Sequence, residues 1–236
     1  METEKPFHPA RHTEYKLVTS ILDGTYPPGS RLPNERSFAK QIGVTRQTLR
    51  ETLQRLAAGG WVTIRHGKST MVNDYWKEGG LGLLSSLAKY GGSLPSRFIT
   101  PLLEVRAVLL PPAAHLAIAN SPEIFLEHLN LFEKLGNEAP AFADYDWKLQ
   151  LLFVRHSGNP IYPLIFNDFS SIFKVMAYHY FSMKEGRKSS CDYYLALLRS
   201  IEQGKGNTEQ IVRSVMEKSI NIWKNVETKE GIGRCN

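Results

Sequence analysis

The strongest constraint on this chain is Gly43, which sits between two short apolar-periodic segments and is followed at once by Thr45-Arg46-Gln47-Thr48-Leu49-Arg50. Upstream, Phe38, Ala39 and Ile42 share one helical face. A helix over them is expected to start near Pro33, because proline suits a first helical position. Downstream, Leu49, Leu53 and Leu56 recur at helical spacing, and Gly59-Gly60 closes the segment. Thr45 is placed to cap this helix, since its hydroxyl can satisfy an orphan backbone N–H. With the leucines turned inward, Arg46, Gln47 and Arg50 point outward. Arginine can donate two hydrogen bonds to guanine and glutamine can pair with adenine, so this is the side-chain set of a major-groove recognition helix. Thr45 and Thr48 suit phosphate contacts, which position a helix without reading sequence.

The flanks extend the pattern. Tyr15, Leu17, Val18, Ile21 and Leu22 predict a first helix ending at Asp23-Gly24, and Pro27-Pro28-Gly29 reads as a connector. After Gly60, residues 61–64 and 69–72 read as two short strands around the turn Arg65-His66-Gly67-Lys68. Such a basic tip, with His66, Gly67 and Lys68, can enter a minor groove, and Arg36 could reach the same groove. Charge follows the same division. Residues 1–76 hold 11 Lys+Arg against 7 Asp+Glu, and residues 77–236 hold 18 against 16, so two-thirds of the net +6 lies in the first third of the chain. No acidic residue falls between Thr52 and Asn73. Each feature alone also describes a solvated basic surface. Their order, helix–helix–turn–helix–hairpin over residues 13–73, is what points to double-stranded DNA.

The fold expected is mainly α: a winged helix-turn-helix domain over residues 1–73, a linker over 74–80, and an all-helical domain over 81–236. Helix breaks are expected at Gly91-Gly92, Pro111-Pro112, Ser121-Pro122, Gly158-Asn159-Pro160, Gly186 and Gly204. The two cysteines, Cys191 and Cys235, form neither a metal spacing nor a disulfide framework, which fits a reduced, cytoplasmic setting. The N-terminus has no apolar signal core, and no uninterrupted run of about 18 apolar residues suggests a membrane span. The seven histidines are scattered, and there is no Gly-rich phosphate loop, nucleophile elbow or zinc signature, so an enzyme is not expected. Phe166, Phe169, Phe173, Met176 and Tyr180 form a helical stripe that serves either as core packing or as the wall of an apolar tunnel.

Leu32-Pro33-Asn34-Glu35-Arg36 and the run Ile42 through Glu51 resemble the winged-helix signature of the GntR family of transcription regulators. Leu53-Gln54-Arg55-Leu56 and the run Gly60 through Lys68 are similar, more narrowly, to its fatty-acid-responsive FadR branch. The similarity runs from about Tyr15 to Trp223. It implies a sequence-specific repressor or activator of fatty acid metabolism that binds its operator as a homodimer and is released by long-chain acyl-CoA. By the same resemblance Arg36, Arg46 and Arg50 would read bases, Thr45 and Thr48 would hold phosphates, and His66 with Gly67 would sit in the minor groove. Gln47 stands where the FadR branch has a threonine.

In the second domain the resemblance places Arg106, Tyr180, Ser219 and Trp223 around the ligand, with Arg213 toward the CoA phosphates. Met216 stands where a glycine would leave room for that ligand. Many wider relatives hold a metal through one Asp and three His. Here Asp146 matches the Asp, but Gln150, Tyr194 and Met216 or Glu217 occupy the other positions, so no metal or cofactor is expected and Asp146 is expected to be a structural hydrogen-bonding residue. Two alternatives stay open: a different organic acid or acyl thioester as effector, or a DNA binder with no effector.

Overall fold

The computed structural model describes residues 9–65, 67–90 and 96–232. The chain divides into two compact units between residues 93 and 94.

The first unit holds helices α1 (Pro9–Leu22), α2 (Glu35–Ile42) and α3 (Arg46–Ala58), strands β1 (Val62–Thr63) and β2 (Met71–Val72), and helices α4 (Tyr75–Glu78) and α5 (Gly82–Tyr90). Its core is built from the inward stripes of the first three helices, with Leu17, Val18, Ile21, Phe38, Leu49, Leu53 and Leu56 buried around a fully enclosed Trp61. α2 starts two residues later than Pro33, because Asn34 is its cap: the Asn34 side chain accepts from the Ser37 amide at 2.9 Å. The hairpin is antiparallel with Val62 opposite Val72 and Thr63 opposite Met71, and Met71 also bridges to Arg31. The strands are shorter than the four-residue runs expected from sequence.

Residues 74–80, read from sequence as a linker, contain α4. Tyr75 is buried, and its ring lies 5.0 Å from that of Trp61. α5 then packs on α1 through a face that includes the buried Leu83 and Leu87. The first unit therefore runs on past residue 73, because these apolar side chains are satisfied there.

The second unit is helical: α6 (Ser96–Asn120), α7 (Pro122–Asn130), a single 3-10 turn (Phe132–Lys134), α8 (Ala139–His156), α9 (Ile161–Ser182), α10 (Lys184–Glu202) and α11 (Thr208–Ile232). α6 packs on both α8 and α11, α8 on α9, and α10 on α11. Two expected breaks are absent. α6 passes straight through Pro111-Pro112. The prolines remove the amides that would serve the carbonyls of Ala107 and Val108, but burial of Leu110, Pro111, Ala113, Ala114 and Ala117 holds the helix together. Gly186 lies inside α10, and the chain breaks instead at Met183, which is extended. The glycine is there for close approach: a Cβ on it would stand 2.4 Å from the Tyr180 carbonyl oxygen. By length and composition, Ile99–Asn120 of α6 is the one stretch among the described residues long and apolar enough to cross a membrane; here it packs on α8 and α11 with 39% of it buried.

Candidate nucleic-acid interface and ligand cavity

The turn between α2 and α3 depends on Gly43, whose φ of +82° lies in the left-handed region that side chains disfavour. From there the amides of Gly43 and Val44 both donate to the Ala39 carbonyl, at 2.9 and 3.0 Å. The chain then enters α3 through Thr45, as expected: its hydroxyl accepts the Thr48 amide at 3.1 Å and lies 2.8 Å from the Thr48 hydroxyl. α3 buries Leu49, Thr52, Leu53 and Leu56, which fixes its rotation and leaves Arg46, Gln47 and Arg50 on the exposed side.

Their partners differ. Gln47 Nε2 donates to Glu51 Oε1 at 3.1 Å, so pairing with a base would first require this bond to open. Arg55 is tied to Glu14 and donates to the Thr52 hydroxyl, which makes it a tether between α3 and α1. Arg36, Arg46, Arg50 and Lys68 are exposed and form no ion pair among the described residues. Gly67 is exposed with φ +69°, at the tip of the wing. His66 lies outside the described residues.

The second unit holds a cavity of about 70 Å³ lined from α6, α8, α9, α10 and α11. The stripe Phe166, Phe169, Phe173 and Met176 faces it, so these residues pack the core and wall the cavity at once. Arg106, Tyr180, Ser219 and Trp223, drawn from three helices, come together on its wall. Arg106 is half-buried, and its Nη2 donates to Ser219 Oγ at 2.8 Å, which in turn donates to the Met216 carbonyl at 2.7 Å. Arg213 is not on this wall. It sits on α11, paired with Glu209 at 2.7 Å.

Polar atoms without hydrogen-bond partners gather here: Arg106 Nε, the Tyr180 and Tyr193 hydroxyls, Trp223 Nε1 and Gln150 Oε1 are all buried and unpaired. A buried polar group left without a partner costs roughly 1–3 kcal/mol, so each of these atoms is a candidate contact for a polar group in the cavity. Burial pushes the Tyr180 phenol up to about 12, so it stays a donor. The Asp146 carboxylate accepts from Gln150 Nε2 at 2.6 Å and from the Tyr194 hydroxyl at 2.9 Å. Burial pushes its pKa up, while Arg106 and these two donors pull it down. Burial likewise lowers Arg106, against the opposing pull of Asp146. Sequence reasoning named neither Gln150 nor Tyr193 as a lining residue. Gln150 carried a signal, its spacing of four from Asp146, whereas Tyr193 carried none.

A winged helix-turn-helix head followed by a helical unit with an apolar-lined cavity is the architecture of a DNA-binding transcription regulator with an effector domain. The comparisons agree. Residues 9–72 match the gntR family of bacterial regulatory proteins, and residues 73–230 match the FadR C-terminal domain. A fatty acid metabolism regulator protein of Shewanella pealeana is 37% identical over 219 residues, covering 92% of each chain. The protein of that name from Klebsiella pneumoniae is 37% identical over 220 residues, covering 93% of this chain and 92% of its own. The solved structure of Lar, which controls expression of the Listeria monocytogenes agr system, superposes with a TM-score of 0.61 at 16% identity, over 94% of this chain and 99% of its own. That likeness speaks to the fold alone. The chain belongs to the FadR-type GntR regulators of fatty acid metabolism. It is a transcription regulator and not an enzyme.

Proposed function

We propose that the chain binds a short pseudo-palindromic operator as a homodimer and that long-chain acyl-CoA in the helical cavity releases it. Arg36, Arg46 and Arg50 read base edges, Thr45 and Thr48 hold phosphates, and the wing places His66, Gly67 and Lys68 at the minor groove. Gln47 adds a base contact once its bond to Glu51 opens. In the second unit Arg106, Tyr180, Ser219 and Trp223 receive the polar end of the ligand, the aromatic stripe takes its chain, and Arg213 lies toward the CoA phosphates. Each buried methylene of that chain contributes about 0.8 kcal/mol. The ligand acts by its differential affinity for two conformations of the dimer.

The observation that carries the reading is the two-sidedness of α3, with Leu49 fully buried on one face and unpaired Arg46 and Arg50 on the other. A gel shift on the operator tests it. Arg46→Ala and Arg50→Ala are each expected to weaken binding by about 1–3 kcal/mol, and wild-type affinity in both would remove the assignment. Palmitoyl-CoA or oleoyl-CoA at micromolar levels is expected to raise Tm and release DNA; neither effect would remove the acyl-CoA effector and leave the regulator. A shorter acyl thioester is the second reading. It is favoured by the size of the cavity, about 70 Å³, against the roughly 300 Å³ or more of a typical ligand site.

A further inference from the structure

The wing is a short hairpin. Its strands pair Val62 with Val72 and Thr63 with Met71, and a hairpin of that length is not stable by itself. β2 is held on its outer side by the segment before α2. The Val72 amide donates to the Ser30 carbonyl at 2.9 Å, the Leu32 amide to the Thr70 carbonyl at 2.9 Å, and the Gly29 amide to the Val72 carbonyl at 2.8 Å. β1 has no further strand on its other side among the described residues. What grips it is Asn73, the residue after β2. The Asn73 backbone amide donates to the Trp61 carbonyl at 2.9 Å. Its side chain spans β1: Thr63 Oγ1 donates to Asn73 Oδ1 at 2.7 Å, and Asn73 Nδ2 donates to the Gly60 carbonyl at 3.0 Å. Gly60 in turn lies against the end of α4, so closely that a Cβ on it would stand 2.9 Å from the Gly79 Cα. One half-buried carboxamide thus ties the point where the chain leaves α3 to the last residue of β1, where the wing tip begins.

We infer that Asn73 is the positioning residue of the wing: its side chain sets the angle at which the hairpin leaves α3, and so brings Gly67 and Lys68 to the minor groove while α3 lies in the major groove. This rests on the DNA reading above and deepens it with a residue that acts through the hairpin rather than on bases. The base of the wing works as a lever. A strand rises about 3.3 Å per residue, so Gly67 extends about 13 Å beyond Thr63. A turn of roughly 15° at the base then carries the tip about 3 Å, which is more than a hydrogen bond tolerates. The two side-chain bonds are the acceptor and the donor of one carboxamide, so loss of either frees the other end to swing. Neither involves the stripe Leu49, Leu53 and Leu56 that fixes the rotation of α3. The two contacts with DNA are therefore separable.

The test uses the full-length protein and a duplex enriched from random sequence on the wild type. Dimethyl sulfate methylates guanine N7 in the major groove and adenine N3 in the minor groove, so one footprint reads α3 and the wing separately. Wild type is expected to protect both. At saturating protein, Asn73→Ala and Thr63→Val are expected to keep the guanine protection and lose the adenine protection. Affinity is expected to fall at least about tenfold, and the salt slope to drop by about one as the Lys68 charge withdraws from the phosphates. Thr63→Ser keeps the hydroxyl and is expected to match wild type. A merely structural asparagine would weaken both protections together, and that result overturns the inference. So do variants that keep the adenine protection and wild-type affinity. Should Asn73→Ala fail to fold, Thr63→Val decides alone. If wild type leaves adenine N3 open to methylation, the minor-groove reading fails and takes this inference with it. If wild type protects it and Thr63→Val does too, this inference alone fails.

Discussion

At the start of α3 the Thr45 hydroxyl accepts the Thr48 amide at 3.1 Å and so closes the helix against fraying. Thr45→Ala is expected to cost about 1 kcal/mol of stability, read as a lower Tm, and Thr45→Ser to restore most of it. Asp146 poses the opposite problem, since burial disfavours its charged form. Burial is the largest influence on its pKa and raises it. A carboxyl whose folded pKa lies above its unfolded value contributes stability at low pH and loses it as pH rises through the folded value. Asp146→Asn removes that slope. Its Tm is expected to gain on wild type as pH climbs above the ordinary carboxylate range and to show no such gain below it, by thermal melts across pH. A Tm difference that stays constant with pH would contradict this account.

Among the elements, those set by local chemistry were legible in the sequence. The cap at Thr45, the turn at Gly43 and the leucine stripe of α3 each follow from a few adjacent residues, and the structure places all three as expected. Elements decided by distant packing were not legible. Nothing near Pro111-Pro112 reveals that core burial on both sides carries α6 through them, and nothing near Gly186 reveals that it meets Tyr180. The Gly186 contact is testable. In Gly186→Ala the new Cβ meets Tyr180 at both its carbonyl, 2.4 Å away, and its ring, 3.1 Å away. Overpacking of this kind costs about 1–3 kcal/mol. Since Tyr180 also lines the cavity, weaker acyl-ligand binding is expected along with the lower Tm, by melting and calorimetry. A variant that melts and binds like wild type would show that α9 and α10 separate freely.

For the whole molecule, the interface was more legible than the cavity. The residues proposed to face DNA, other than Arg36 and the wing tip, lie within one turn and helix. The cavity draws on five helices, and its wall gains Gln150 and Tyr193 only once they are packed. The two functions are bound by thermodynamics. If acyl-CoA weakens operator binding by some factor, the operator must weaken acyl-CoA binding by that same factor. Calorimetric titration of acyl-CoA into free and operator-bound protein is expected to give the ratio found in the gel shift. Unequal ratios would mean that the release is not an equilibrium linkage.

The paired prolines of α6 have a mechanical effect. With no amide at positions 111 and 112, the carbonyls of Ala107 and Val108 fall outside the hydrogen-bonded ladder, so the rod lacks two rungs in the turn just after Arg106. If the proposed ligand pulls on the guanidinium, the load falls beside the turn where those two hydrogen bonds are missing.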